Sequence, residues 1–150
     1  MGHTPRDPDF EQRVRASYAR QAAMATLGAT LSQVAPGQVV IELPFRPDLT
    51  QQHGFLHAGV VTTAMDSACG YAAMSLMERG AAVLSVEFKV NLLAPARGDL
   101  FRASGRVVRA GRNLTVVSGE FRAVDGAGDS LVAMMTATMM AVRDRPDLVD

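Results

Sequence analysis

The residues best placed to do chemistry form one dense group, Gln51-Gln52-His53-Gly54-Phe55-Leu56-His57-Ala58-Gly59, followed by the isolated carboxylate Asp66. Asp66 is the anomaly. Val60 to Met65 before it and Ala68 to Ala73 after it carry no other charge, and a carboxylate in such company is costly unless it is paired or functional. The residues alone leave two readings open: a functional carboxylate, or a helix Asp that turns to water or is satisfied by Thr62 or Thr63. At 100° per residue Asp66 shares a helix face with Gly59, Thr62, Thr63, Cys69, Gly70 and Ala73, all small, while Val61, Ala64, Met65, Ala68 and Tyr71 lie opposite. A stripe of small residues is where another backbone can approach closely. His57 stands nine residues before Asp66, half a turn out of phase and roughly 13 Å away along the axis. The two cannot meet within one helix; if both serve one site, a second protomer supplies one of them.

Other chemistries fit the pattern poorly. His53 and His57 are four apart, but the first falls outside the helix and no third ligand stands at metal spacing. Asp125-Gly126-Ala127-Gly128-Asp129 lacks the spacing of a phosphate-binding loop and sits between two strands, so it reads as a hairpin turn. Ser67 and Ser85 have no nucleophile-elbow context. Met134, Met135, Met139 and Met140 fall on both faces of one strand and read as core and interface filling.

The elements that must position these residues follow from periodicity and breakers. Asp9 to Leu27 repeats apolar residues at helical spacing and ends at Gly28. Ala29 to Val34 and Gln38 to Pro44 are β-rich and flank Pro36-Gly37, which predicts a hairpin. Arg46 to Leu56 is a polar loop, and His57 to Arg79 is the long helix, closed by Gly80. Leu84, Val86, Phe88, Val90 and Leu92 then alternate with Ser85, Glu87, Lys89 and Asn91, a strand of period two. Pro95 to Asp99 breaks it. Leu100 to Arg109, Leu114 to Val124 and Leu131 to Val142 are further strands, and Arg143 to Asp150 reads as a loose tail. Short turns join sequential strands antiparallel, so one sheet must cover the single long helix in a two-layer α+β architecture.

Composition narrows the function classes. The 150 residues carry fifteen basic and fifteen acidic side chains, a formal net charge of zero. That argues against a protein that blankets nucleic acid or an anionic membrane. Fourteen of the basic residues are Arg and one, Lys89, is Lys, a bias that a GC-rich genome would also produce. One cysteine, Cys69, rules out a disulfide framework. Met1 to Arg15 contains no apolar signal region, and no apolar run reaches the roughly 20 residues that span a bilayer. The expectation is a cytoplasmic protein.

Gln51-x-x-Gly54-x-x-His57-Ala58-Gly59 with Asp66 nine residues after the histidine resembles the signature of hotdog-fold acyl-CoA thioesterases of the phenylacetate-degradation (PaaI-like) type. The family's usual form is Asn-x-x-Gly-x-x-His-Gly-Gly with Asp at that spacing. The likeness runs on through Ser85-Val86-Glu87-Phe88, Asn91 to Pro95, the Gly111-Arg112 turn and the last strand. It implies a curled antiparallel sheet wrapped around one long central helix over residues 29–142, with an extra N-terminal helical extension at 1–28 and a tail at 143–150. It also implies hydrolysis of a coenzyme A thioester at a dimer interface, with no cofactor beyond the CoA that arrives as part of the substrate, and a homodimer or a homotetramer built as a dimer of dimers. In that scheme Asp66 is the general base or nucleophile and the Ala58 amide is the oxyanion donor. Gln51 orients the carbonyl or the water, His57 shapes the loop and Ser85 assists the water. Gly59 and Asn91 line the substrate, and Arg97 and Arg112 form a cationic rim for the CoA nucleotide. Gln51 and Ala58 depart from the usual Asn and Gly. A backbone donor survives the second change where φ is negative.

Overall fold

Helix, hairpin, long helix and then long strands is the order the chain adopts in a computed structural model that describes residues 2–126 and 128–148; Ala127 of the expected turn and the ends of the chain, residues 1, 149 and 150, lie outside the described residues. The first expected helix is two, α1 (Phe10–Ala19) and α2 (Ala22–Leu27). Gln21 between them has extended backbone (φ −79°, ψ 95°), and its side-chain carbonyl accepts from Ser67 Oγ at 3.1 Å. A tertiary hydrogen bond overrides a periodicity that runs straight through the break. Gly28 then ends α2 in the left-handed region (φ 69°), which glycine reaches without steric cost.

The hairpin β1 (Thr30–Ala35) and β2 (Gln38–Pro44) turns at Gly37. The long helix α3 (Ala58–Met74) stops short of Arg79, and His57 is its N-cap rather than its first residue. Four strands follow: β3 (Ala82–Leu92), β4 (Leu100–Ala110), β5 (Leu114–Asp125) and β6 (Gly128–Val142), the last beginning before Leu131. They form one antiparallel sheet in the order β1-β2-β4-β5-β6-β3. Sequential pairing holds for β4, β5 and β6 and fails for β3, which pairs with β6 at the sheet edge. The connection over residues 93–99 is long enough to leave that edge and cross to β2; the Leu93 and Ala94 amides both donate to the Val132 carbonyl on the way.

One face of the sheet covers α3. Ala64, Met65, Ala68, Cys69 and Ala72 of the helix are buried with Ile41, Phe101, Val117 and Phe121 of the strands. The closest approach falls at Gly105, where a Cβ would lie 2.3 Å from the Ala68 carbonyl oxygen, and at Gly119, where it would lie 2.9 Å from Cys69 Sγ. Close backbone contact therefore occurs at Ala68–Cys69 and is made possible by sheet glycines. The stripe expected to allow it is mostly turned away: Gly59 and Thr63 are exposed, and Asp66 and Gly70 are half-buried.

Two ties hold the ends. Arg13 donates from Nη2 to the carbonyls of Met74 (3.2 Å) and Met77 (2.7 Å), satisfying acceptors at the C-terminal end of α3. Its Nε pairs with Asp7 at 3.0 Å, and Asp7 is 3% exposed. Burial pushes the Asp7 carboxyl upward, but the Asp9 amide, Arg13 and Arg79 outweigh it and hold it below the usual range. The expected loose tail is anchored at its first residue: Arg143 reaches Glu78, Asn113 Oδ1 (3.1 Å) and the Arg112 carbonyl (2.6 Å).

Candidate active site

The N-terminus of α3 is built by its own loop. Thr50 and Leu56 bridge across a turn in which the Gly54 amide donates to the Gln51 carbonyl at 3.0 Å, with Gly54 at φ 82°. Gln51 Oε1 accepts from the His53 amide, which leaves the Nε2 amide as the donor Gln51 can present. His57 caps α3 by accepting the Gly59 amide on Nδ1 at 2.8 Å; this assigns the proton of a neutral ring to Nε2. A Cβ on Gly59 would lie 3.1 Å from that Nδ1, so the cap itself asks for the smallest residue. The Val60 and Val61 amides donate to the His57 carbonyl. The Ala58 amide is thus the first-turn N–H with no acceptor among the described residues, and Ala58 lines a cleft of about 450 Å³ with Gln51, Phe55 and Leu56. Ala58 is helical, so the change from Gly costs nothing in φ.

Asp66 faces a different cleft. Ser85 Oγ donates to Asp66 Oδ1 at 2.7 Å and also lies 3.4 Å from Met139 Sδ. An uninterrupted alternation would put Ser85 on the same face as Glu87, Lys89 and Asn91, away from α3. A bulge between Ser85 and Glu87 changes this. Ser85 is opposite Met139, and Phe88, Val90 and Leu92 are opposite Ala137, Met135 and Ala133, β6 residues that are buried on the helix side, although Phe88 and Leu92 on the edge strand remain 45% and 56% exposed. Leu84, expected inside, sits opposite the exposed Met140 and is itself 45% exposed. Burial, reinforced by the Asp66 charge one turn away, pushes the Cys69 thiol up to about 12.

The remaining candidates are dispersed within one chain. Asn91 pairs with Met134 on the outer face of the sheet and is exposed. The Arg97 guanidinium lies 4.8 Å from the centroid of the Phe55 ring, beside the Ala58 cleft. Arg112 lies at the other end of α3, next to Ala73 and Leu76. The structure joins Asp66 to Ser85, and Gln51 to Ala58, but does not bring the two pairs together in one protomer. Sequence reasoning missed Gln21, which fixes Ser67 beside Asp66; nothing local marked it, because the contact spans 46 residues. Among the described residues no group of three or more His, Cys, Asp or Glu could hold a metal ion, and no helix is long and apolar enough to cross a membrane.

A single curled antiparallel sheet around one long helix, with a capped helix start and a mid-helix carboxylate, defines the hotdog class. Residues 53–129, just over half of the chain, match the thioesterase superfamily, and the chain belongs to it. A thioesterase family protein from Silicibacter pomeroyi superposes with a TM-score of 0.88 at 54% identity, over 89% of this chain and 98% of that one. The PaaI protein of the E. coli phenylacetic acid degradation operon superposes with a TM-score of 0.80 over 91% of this chain and 96% of that one, at 22% identity, a likeness of fold. Human acyl-coenzyme A thioesterase 13 is 31% identical over 90 residues, covering 59% of this chain. The chain spans about 64% of the length of that relative. The resemblance to PaaI-like thioesterases is borne out at the level of family and fold.

Proposed function

We propose that the protein hydrolyses a coenzyme A thioester of an aryl or medium-chain acid, at a site shared between two protomers. Asp66 of one protomer takes a proton from water, and the resulting hydroxide attacks the thioester carbonyl carbon. The negative charge that develops on the carbonyl oxygen is met by the Ala58 amide of the other protomer, at the positive end of its helix. Collapse breaks the C–S bond; the free acid leaves, and the CoA sulfur takes up the proton. A direct attack by Asp66, through an anhydride that water then opens, uses the same groups. Ser85 holds the carboxylate, Gln51 offers its amide to the carbonyl or the water, and His57 fixes the loop. No resident cofactor is needed.

The observation that carries this reading is a separation. Asp66 and Ala58 lie on one helix, roughly 12 Å apart along its axis, and they open onto different clefts. One thioester carbonyl cannot reach both in one chain. The bare edge of β3 supports a partner there. Val86 and Phe88 on it are 53% and 45% exposed, and an 11-residue edge strand invites pairing. A partner's β3 against it would make one continuous sheet, and pairing of such dimers would make the tetramer. With its only cysteine buried, the chain suits a reducing compartment such as the cytoplasm.

The test is complementation. Asp66→Asn and Ala58→Pro chains, each inactive alone, are mixed, unfolded and refolded, and thiol release from acyl-CoA is followed. Shared sites give one working site in each mixed dimer, or about a quarter of wild-type activity at equal mixing. No recovery, with mixed dimers present, refutes a shared site. No turnover by the wild type on any acyl-CoA refutes the enzyme.

A further inference from the structure

Asp66 shares its cleft with one uncommitted donor. Its Oδ1 is taken by Ser85, and Oδ2 has no partner among the described residues. The hydroxyls on its own helix face are spent on the turn before: Thr62 donates to the Ala58 carbonyl at 2.8 Å and Thr63 to the Gly59 carbonyl at 2.7 Å. Ser67, the next residue, donates across to Gln21 Oε1. Arg20, the other charged side chain that lines the cleft, donates to the Ala16 carbonyl. Gln21 lines the same cleft, and with Oε1 occupied the group it has to offer is the Nε2 amide. Among the described residues the one buried side-chain nitrogen or oxygen without a partner is the Tyr18 hydroxyl, so the unpaired Nε2 is accessible and opens on the cleft. The backbone beneath it is fixed on both sides. The Gln21 amide donates to the Tyr18 carbonyl at 3.0 Å, and the Gln21 carbonyl accepts from the Met24 amide at 3.1 Å.

We propose that Gln21 holds the attacking water against Asp66, so that one protomer fixes the water and the other fixes the carbonyl. This rests on the thioesterase reading above and adds a residue to it. A water bound there donates one hydrogen to Asp66 Oδ2 and accepts a Gln21 Nε2 hydrogen on one lone pair. The second lone pair is left free for the carbonyl carbon. In the step itself the proton passes to Asp66, the water oxygen bonds to carbon, and Gln21 keeps both of its hydrogens. A neutral amide suits the place. A cationic donor beside the carboxylate would lower its basicity, whereas an amide orients the water without adding charge. Attack needs the oxygen held about 3–3.5 Å from the carbon, and two points of attachment fix it better than one. The same division leaves Gln51, which lines the Ala58 cleft, to the carbonyl.

Two esters with unrelated acyl groups test it, hexanoyl-CoA and benzoyl-CoA. Thiol release is followed for the wild type, Gln21→Met and Gln21→Glu, each beside a thermal melt. Loss of one orienting hydrogen bond should lower kcat in Gln21→Met by about tenfold, by the same factor on both esters, with KM within about twofold. Gln21→Glu keeps the acceptor for Ser67 but sets a second carboxylate beside Asp66. The acid limb of its kcat–pH profile should therefore move up by about one pH unit, while Gln21→Met leaves the limb in place. A folded Gln21→Met with wild-type kcat overturns the proposal. A loss taken in KM, or confined to one ester, also overturns it and makes Gln21 an acyl contact. So does an unmoved acid limb in Gln21→Glu, the variant that decides alone if Gln21→Met does not fold. Hydrolysis of neither ester by the wild type instead refutes the thioesterase reading, and this proposal falls with it.

Discussion

Replacing Ala58 by proline would delete one hydrogen atom's worth of chemistry and little else. Ala58 is the first residue of α3, a position where proline is favoured because its nitrogen has no helical acceptor to lose. The residue before it, His57, has φ −63° and ψ 138°, the extended backbone that a following proline requires. The Gly59, Val60 and Val61 amides keep their His57 acceptors. Ala58→Pro should therefore fold and melt close to the wild type. What it loses is the one first-turn N–H that opens into the cleft. Loss of a single oxyanion-hole donor costs about 10²–10³-fold in kcat, or roughly 2.7–4 kcal/mol of transition-state stabilisation. Steady-state thiol release on a saturating acyl-CoA, beside a thermal melt, reads both quantities. Ala58→Gly keeps the donor and should hold kcat within a few-fold. A folded proline variant with kcat near that of wild type would refute the oxyanion assignment, because no other first-turn amide is available to take its place.

Asp66→Asn keeps the acceptor for Ser85 Oγ but not the base; kcat should fall by about 10²–10⁴-fold with the melting temperature little changed, and a drop in stability with activity retained would mark Asp66 as structural. Gly105→Ala drives a methyl into the Ala68 carbonyl, 2.3 Å away; overpacking of this kind costs about 1–3 kcal/mol, read as a shift of several degrees in a melt, and an unshifted melt would mean the helix can lift off the sheet freely. The Arg143 hydrogen bond, with a backbone donor and the Arg143 and Arg6 side chains, holds Glu78 near 2 against an ordinary 4.5. A lowered carboxyl contributes stability above its unfolded value and loses it as pH falls through the folded one. Wild type should therefore lose more stability than Glu78→Gln between about pH 4.5 and about pH 2, and parallel melting curves would contradict this. Arg112→Gln should raise KM for acyl-CoA and spare a truncated pantetheine thioester; equal effects on both would remove Arg112 from the nucleotide rim.

Much of this was legible in one dimension. The His57 cap, the small residue two places on and the carboxylate mid-helix are separated by fixed numbers of residues on one element, so spacing alone orders them. The Gly28 stop, the Pro36-Gly37 turn and three sequential antiparallel strands are likewise local events, decided by φ and by short connections. Even the mismatch in phase between His57 and Asp66 is a property of helical pitch, and it asks for a second protomer if both serve one site.

Three-dimensional packing decided the rest. No periodicity marks the break at Gln21, because the hydrogen bond from Ser67 that goes with it comes from far along the chain. The edge position of β3 depends on a connector long enough to cross the sheet, and length alone does not say where it lands. The partner of Asp66 shows the limit most clearly. Read as a strand of period two, Leu84 to Leu92 sends Ser85 to the wrong face. A single extra residue in the β3–β6 ladder reverses that parity and delivers the hydroxyl to the carboxylate. Side-chain alternation is a local rule, but a bulge is defined only by two strands counted against each other, so no reading of one strand can see it.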